Sequence, residues 1–350
     1  MDNRKYLDML SQMDNIVTKT NNYLIVDGTN TFMRSAAANP TISDAGQAIG
    51  ALSGTLLSIG YAIKTLKISD VIVVFDGKNT KKTRTDIYSL YKANRTKKKQ
   101  IIRNDLITSI EEDTEALKWQ MTKLIEYLKL LPIKIILADY FEADDIIAYI
   151  VNNYFKERTG YIMSSDKDFY QLINDNIKVW SPTKKRIFSK ETIKEDFFME
   201  AHNFILFKVL TGDTSDNIPG VSGLGLKTLI KYFPFLQENL IFILEDIFKY
   251  CEIKIKEKSK YNIYQKVLDF KDQLLINYKL IQLQNIEMNS NVKIVIDNSI
   301  SKEPYRLNKL QLLTYIIEDQ LTNSIKNPDK WIHDCWHSID WNIQRQNISK

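Results

Sequence analysis

The stretch Tyr23-Leu24-Ile25-Val26-Asp27-Gly28-Thr29-Asn30 decides how this chain is read. Four apolar residues, two of them β-branched, make a short buried strand, and an acid followed by glycine ends it at a turn. The pattern repeats. Residues 71–75 run straight into Asp76, residues 133–137 precede Glu142 by a few positions, and a shorter stretch at 161–164 leads to Asp166. Apolar residues at helical spacing over 45–67 and 114–131 separate the first three runs, so the order is strand, helix, strand, helix, strand. That order predicts an α/β fold with a mainly parallel sheet, whose ligands gather at the carboxyl ends of the strands.

Composition sets outer bounds. With 350 residues and 44% apolar content the chain can bury a substantial core. A formal charge of +5 does not by itself mark a nucleic-acid binder, because both signs are plentiful. The charges fall unevenly, however. Residues 78–103 are dense in Lys and Arg with Asp86 as their only acid, which reads as an exposed excursion before the helix near 114. Cys251 and Cys335 suggest neither a disulfide framework nor a zinc site. The first twenty residues mix charges with apolar positions, unlike a signal peptide, and no run approaches the ~20 apolar residues of a membrane span. A cytoplasmic protein without a membrane partner is expected.

Beyond about residue 200 the strand pattern fades into helices, punctuated by a glycine-rich loop over 220–228. The chain therefore divides into an α/β region, 1–199, with its excursion at about 78–113, and a mostly helical region, 200–350. The polar run 252–260 reads equally as a linker or a charged helix face. Trp331, Trp336 and Trp341 read as core, with a partner-binding patch as the alternative.

The acids sit where such a sheet collects them. Asp27 follows the first strand, Asp76 the second, and Asp166 with Asp168 the fourth, while Glu142, Asp144 and Asp145 open an apolar-rich helix over 146–154. Glu142 and Asp145 share a face at i, i+3. Acids at a helix start also complement the helix dipole, so each position taken singly has a structural explanation. Together they do not. Carboxylates converging on one crevice raise one another's pKa unless cations neutralise them, and an all-oxygen set suits Mg²⁺ or Mn²⁺ rather than zinc. Two ions so held would suit phosphodiester hydrolysis. The three histidines, His202, His333 and His337, lie far from these acids in the sequence, which disfavours histidine acid–base catalysis.

Val26-Asp27-Gly28-Thr29-Asn30, followed by Arg34, resembles the opening motif of the flap endonuclease and 5′→3′ exonuclease family, which includes phage ribonuclease H and the 5′-nuclease domain of bacterial DNA polymerase I. Phe75-Asp76 resembles the second motif and Tyr91-Lys92-Ala93-Asn94-Arg95 the arch motif. Glu142-Ala143-Asp144-Asp145 and Ser165-Asp166-Lys167-Asp168 resemble the third and fourth, and residues 212–220 the fifth. Order and approximate spacing match from about 23 to 233. The resemblance implies a PIN-like core, a basic arch and a helix-hairpin at about 212–233 in the helical region. It assigns metal ligation to Asp27, Asp76, Glu142, Asp144, Asp145, Asp166 and Asp168, with Asp213 and Asp216 serving a second metal position. Lys92 matches the family's catalytic lysine, acting with Asp27, Asp76, Asp145 and Asp166.

For nucleic acid the resemblance offers Arg34, Arg84, Tyr91, Lys92 and Arg95, and residues 97–99 add sequence-independent attraction. Tyr88 and Tyr91 suit either stacking on unpaired bases or packing inside the arch. At the hairpin it offers Gly220, Gly223, Gly225, Lys227 and Thr228, with a K⁺ ion beside them. The implied substrate is DNA with a 5′ flap, a nick or an RNA–DNA hybrid, and the implied use is removal of RNA primers or flaps in replication, a ribonuclease H activity included. A single-strand-binding protein or other replisome component is the open partner class for the C-terminal region. With no polymerase domain attached, the expected source is a phage or other small replicon.

The arch departs from the commonest pattern, since Ser89-Leu90 precedes Tyr91 where proline or glycine is frequent. Asp27-Gly28-Thr29 also suggests the haloacid-dehalogenase phosphatases, but their nucleophilic Asp would fall at Ile25. A PIN-type ribonuclease shares the acidic crevice without needing the arch or the glycine hairpin. A DNA-junction scaffold would need the basic residues and the hairpin but not the acids.

Overall fold

The computed structural model describes residues 21–96, 109–257 and 262–348. Strands β1 (Asn22–Asp27), β2 (Ile68–Asp76), β3 (Lys134–Ala138), β4 (Gly160–Met163) and β5 (Ile177–Ser181) run parallel, and β6 (Arg186–Phe188) returns antiparallel. They form one sheet in the order β3-β2-β1-β4-β5-β6. After β1 the chain builds outward through β2 and β3, then returns to β1's other side for β4. The strand order thus reverses between β1 and β4, the place where open α/β sheets bind ligands.

The four expected strands appear. β5 and β6 were not expected, because a lysine inside a five-residue strand and an arginine opening a three-residue one leave little apolar pattern. Helices α1 (Gly28–Ala38), α2 (Gly50–Leu66), α3 (Lys82–Ile87), α4 (Ile110–Leu128) and α5 (Ala143–Asn153) supply the crossovers and the base of the excursion. The helix expected over 45–67 begins only at Gly50. Ahead of it, Ile42 and Ala48 pair as an antiparallel bridge around a tight turn, with Ser43 N–H donating to the Gln47 carbonyl at 2.8 Å.

Side chains of β1 alternate between two cores, as a strand period of two requires. Tyr23 and Ile25 face one layer, with α5 and the helices Phe204–Thr211, Leu244–Lys256 and Lys271–Ile281. Leu24 and Val26 face the other, with α1, α2, α4, the helix Lys309–Glu318 and Trp336. Residues beyond 200 therefore pack on both faces of the sheet. Trp336 is fully buried, Trp331 meets it edge-on at 5.9 Å, and Trp341 is about half exposed. The described part of 252–260 continues the helix Leu244–Lys256. The expectations for the first twenty residues and for 97–99 fall outside the described residues, as does the side chain of Arg95. Among the described residues no helix is long and apolar enough to cross a membrane.

Candidate active site

The carboxyl end of β1 delivers Asp27 into the crevice, and α1 begins at the next residue. Asp27 caps that helix, its Oδ1 accepting from Asn30 N–H at 3.0 Å. Its Oδ2 accepts from Ser164 Oγ–H at 3.0 Å, and Ser164 Oγ in turn accepts from Asp166 N–H at 3.1 Å. One buried serine thus joins the ends of β1 and β4. Asp76, at the end of β2, accepts from Ala143 N–H at 2.8 Å and so draws the first turn of α5 to the same edge. The Asp144 carboxylate, in that turn, makes no side-chain hydrogen bond among the described residues.

Crowding shows in the acidities. Burial, and then Asp76 and Asp166, push Asp27 up to about 7 against its two hydrogen bonds. Burial followed by Asp27, Asp166 and Glu142 holds Asp144 well above the usual carboxylate range. Asp166 is raised by burial, and Asp168 is pushed up to about 7 by burial and then by Asp166.

Three buried or half-buried cations answer part of this charge. Arg84 is buried, with NH1 2.8 Å from Asp145 Oδ2, NH2 2.7 Å from Asp145 Oδ1, and Nε donating to the Leu280 carbonyl at 3.0 Å. Its NH1 also lies 3.4 Å from Glu142 Oε2. Lys92 Nζ donates to both Glu142 oxygens at 2.8 Å, and Tyr91 O–H donates to Glu142 Oε2 at 3.0 Å. Lys208 Nζ bridges Asp168 Oδ1 at 2.7 Å and Asp213 Oδ2 at 2.5 Å. Although burial opposes its charge, those two acids raise the Lys208 pKa. Against the burial that would raise it, Lys208 and Ser215 hold Asp213 at about 2.

The loop 212–220 comes to the start of the basic excursion through three bonds. Lys92 N–H donates to the Asp216 carbonyl at 2.8 Å, Asn94 Nδ2 to the Thr214 carbonyl at 2.8 Å, and Asn217 Nδ2 to the Leu90 carbonyl at 2.8 Å. The loop closes on itself at Gly212 and Gly220, where added Cβ atoms would stand 2.5 Å from Gly220 N and 2.0 Å from the Thr211 oxygen. Buried Asn277, on the helix Lys271–Ile281, donates to the carbonyls of Val209 at 3.1 Å and Pro219 at 2.7 Å, fastening both ends. Past it, Gly223 (φ +83°) and Gly225 are exposed with open space where a side chain would be, and Lys227 is exposed on the following helix, Leu226–Tyr232. Thr228 is half-buried there.

The structure bears on two of the nucleic-acid expectations, and for Tyr91 it gives the packed alternative rather than the stacking one. Arg84 does not present itself to a substrate phosphate in this arrangement, because its guanidinium is buried and bonded through all three nitrogens to Asp145 and the Leu280 carbonyl. Tyr91 does not offer a stacking face, being 4% exposed with its hydroxyl on Glu142. Gly220 faces its own chain, unlike Gly223 and Gly225. Arg34 is half-buried on α1, with NH2 donating to Ser58 Oγ at 3.0 Å. Sequence reasoning missed Ser164, Asn277 and Lys208. Only Lys208 carried a signal, as the one charge in the apolar helix Phe-Ile-Leu-Phe-Lys-Val-Leu-Thr.

The donors at this edge are carboxylates, a hard-oxygen set suited to Mg²⁺ or Mn²⁺. Nine acids face Arg84, Lys92 and Lys208, an excess of negative charge that divalent cations would balance. Among the described residues no three of them close round one point as a ready-made cage.

Comparison with known proteins bears on this geometry. Residues 22–198 match the family model described as 5′-3′ exonuclease, N-terminal resolvase-like domain. The chain is 30% identical over 301 residues to a 5′-3′ exonuclease of Buchnera aphidicola, covering 83% of this chain and 97% of that one. It is 30% identical over 266 residues to flap endonuclease Xni of Shewanella denitrificans, covering 75% and 93%. Its fold resembles that of the bacteriophage T5 flap endonuclease solved with DNA and metal ions, with a TM-score of 0.61, 20% identity, and coverage of 87% of this chain and 100% of that one. The T5 5′-exonuclease solved with bound zinc gives a TM-score of 0.62 at 24% identity, covering 80% and 97%.

Proposed function

The chain belongs to the 5′-3′ exonuclease and flap endonuclease family, phosphodiester hydrolases acting on DNA, and from that premise we propose that it cuts near duplex junctions with divalent metals held at the carboxyl edge of its sheet. The observation that carries this reading is the meeting of Asp27, Asp76, Asp144 and Asp166 at the strand-order reversal, where each raises a neighbour's pKa or ties strand ends together. Asp27, Asp144 and Asp166 would hold one ion, with Asp76 and Glu142 beside it. Asp168, Asp213 and Asp216 would hold the other. Bound ions would lower the pKa of the attacking water and balance charge on the leaving oxygen.

The protein's own groups do the rest. Lys92, now on Glu142, stands at the arch base to stabilise charge on the scissile phosphate. The open backbone at Gly223 and Gly225, with Lys227 beside it, would take duplex phosphates, with K⁺ assisting. Arg34 would steer the strand close to Asp27. The substrates we infer are a 5′ flap, a nick or an RNA–DNA hybrid, and the use is removal of primers or flaps in replication.

The test is cleavage of a 5′-labelled flap duplex, an RNA–DNA hybrid and a plain single strand, with Mg²⁺ or EDTA, by wild type and Asp166→Ala. Mg²⁺-dependent cuts at the junction, absent in the variant, are expected. Binding of all three without cutting any would overturn the proposal in favour of a junction scaffold.

A further inference from the structure

We infer that Gln171 is a positioning residue for the acid edge, acting through the helix Lys271–Ile281, which sets Asp168, Asp213 and Asp216 against the acids of α5; this rests on the nuclease reading above. Gln171 lies three residues past Asp168 in the 3₁₀ turn Asp168–Leu172 and is 3% exposed. Its side-chain amide is used at both ends. Nε2 donates to the Asp168 carbonyl at 2.9 Å and to the Ile281 carbonyl at 3.0 Å, while Oε1 accepts from Leu283 N–H at 2.9 Å. One buried amide thus fastens the backbone of a metal-ligand candidate to a helix end 110 residues further along the chain.

The same helix end meets the other acids. The last carbonyls of a helix have no partner within it and stay free to accept. Here the Leu280 carbonyl accepts from Arg84 Nε at 3.0 Å, and the Ile281 carbonyl accepts from Gln171. Arg84 forks onto Asp145 and stands 3.4 Å from Glu142, so the acids of α5 and Asp168 are held by two successive carbonyls. Asn277, one turn earlier, holds the loop that carries Asp213 and Asp216. Three acid-bearing segments from distant parts of the sequence therefore share one element, and because a helix rises a fixed ~1.5 Å per residue, their attachments keep set separations. Lys208 attracts Asp168 and Asp213, but a point charge on a flexible stem does not fix their direction. The Gln171 amide does, since both its N–H groups and its oxygen are committed. The strut lies beyond residues 22–198, the part of the chain that the family model matches.

The test is calorimetric titration of Mn²⁺ into metal-free protein without DNA, beside cleavage of the flap duplex over a range of Mg²⁺. Wild type is compared with Gln171→Met and, as a control for lost stability, Val267→Ala. Gln171→Met keeps the length of the side chain and removes its hydrogen bonds. Val267→Ala trims a fully buried residue of the adjacent helix Ile263–Asp269, which carries none of these ties. Gln171→Met should raise the Mn²⁺ Kd and the Mg²⁺ concentration for half-maximal cleavage roughly tenfold each, in the range seen when groups that orient metal ligands are lost. Its rate at saturating Mg²⁺ and its KM for the flap should stay within about twofold of wild type. Val267→Ala should lower Tm and change neither metal measurement. Gln171→Asn, which keeps the amide but is one methylene short of spanning both carbonyls, should fall between wild type and Gln171→Met, and it replaces Gln171→Met if that variant does not fold. Unchanged metal demand in the Gln171 variants, or an equal rise in Val267→Ala, would overturn the positioning role. If wild type cuts nothing while a Gln171 variant still weakens Mn²⁺ binding, the nuclease reading falls and the positioning role stands.

Discussion

Arg84 of α3 holds Asp145 of α5 through two parallel buried bonds, 2.8 Å from NH1 to Oδ2 and 2.7 Å from NH2 to Oδ1. A fork of this kind is an internal brace, since it spends the guanidinium on the protein. Removing one partner strands the other charge, so Arg84→Ala should cost about 3–5 kcal/mol in urea denaturation. The slope of DNA affinity against salt should not change. A slope reduced by about one, with stability intact, would instead mark a phosphate contact.

Lys208 is the shared counter-charge of Asp168 and Asp213. Lys208→Met should lower Mg²⁺-dependent cleavage roughly 10–100-fold, the usual effect of removing a group that orients metal ligands. Lys208→Arg should recover part of the rate. Equal rates in wild type and Lys208→Met would refute that role.

Without metal, the acid edge should weaken the fold as pH rises. Asp27 and Asp168, both pushed up to about 7 by burial first and neighbouring acids next, favour the folded state fully only below their unfolded value of 3.8. That contribution is lost as pH climbs through about 7. Asp213, held at about 2, acts oppositely, and its contribution disappears only as pH falls below about 4. Tm in EDTA should therefore fall between about pH 5 and pH 8, and Mg²⁺ should reverse the fall at the upper end. A flat profile in EDTA would contradict the crowding.

Asn277 fastens both ends of the Asp213–Asp216 loop from a distant helix. Asn277→Leu leaves the buried Val209 carbonyl without this donor, at about 1–3 kcal/mol, and frees the more exposed Pro219 carbonyl to water. It should also raise the Mg²⁺ concentration for half-maximal cleavage. Gln273→Ala, which removes only the bond to Asn277 Oδ1, should do less. A shift in Tm with no change in Mg²⁺ demand would reduce Asn277 to a purely structural residue.

Much of this molecule was legible in residue order. The β-branched runs ending in Asp27, Asp76 and the 166–168 pair announce parallel strands with acids at their carboxyl ends, because burial on both faces demands continuous apolar residues and the turn demands polar ones. The glycine-rich stretch over 220–228 reads as a loop punctuating helices for the same local reason, whereas its reading as a helix-hairpin came from the family resemblance. The short β5 and β6 escaped because pairing with neighbours, rather than their own pattern, makes them strands.

What residue order could not convey was which charge meets which. Whether an arginine binds a phosphate or braces a carboxylate depends on what lies within about 3 Å of it, and that follows from chain segments far apart in sequence. Arg84 meets Asp145 and Leu280, Lys208 meets Asp168, and Asn277 meets Val209 and Pro219 only once the helices beyond residue 200 have packed against the sheet. The kind of site was written in local patterns, which are short-range. Its electrostatic wiring belongs to the tertiary fold, because burial and proximity, the two things that shift a pKa or commit a side chain, do not exist until the chain closes on itself.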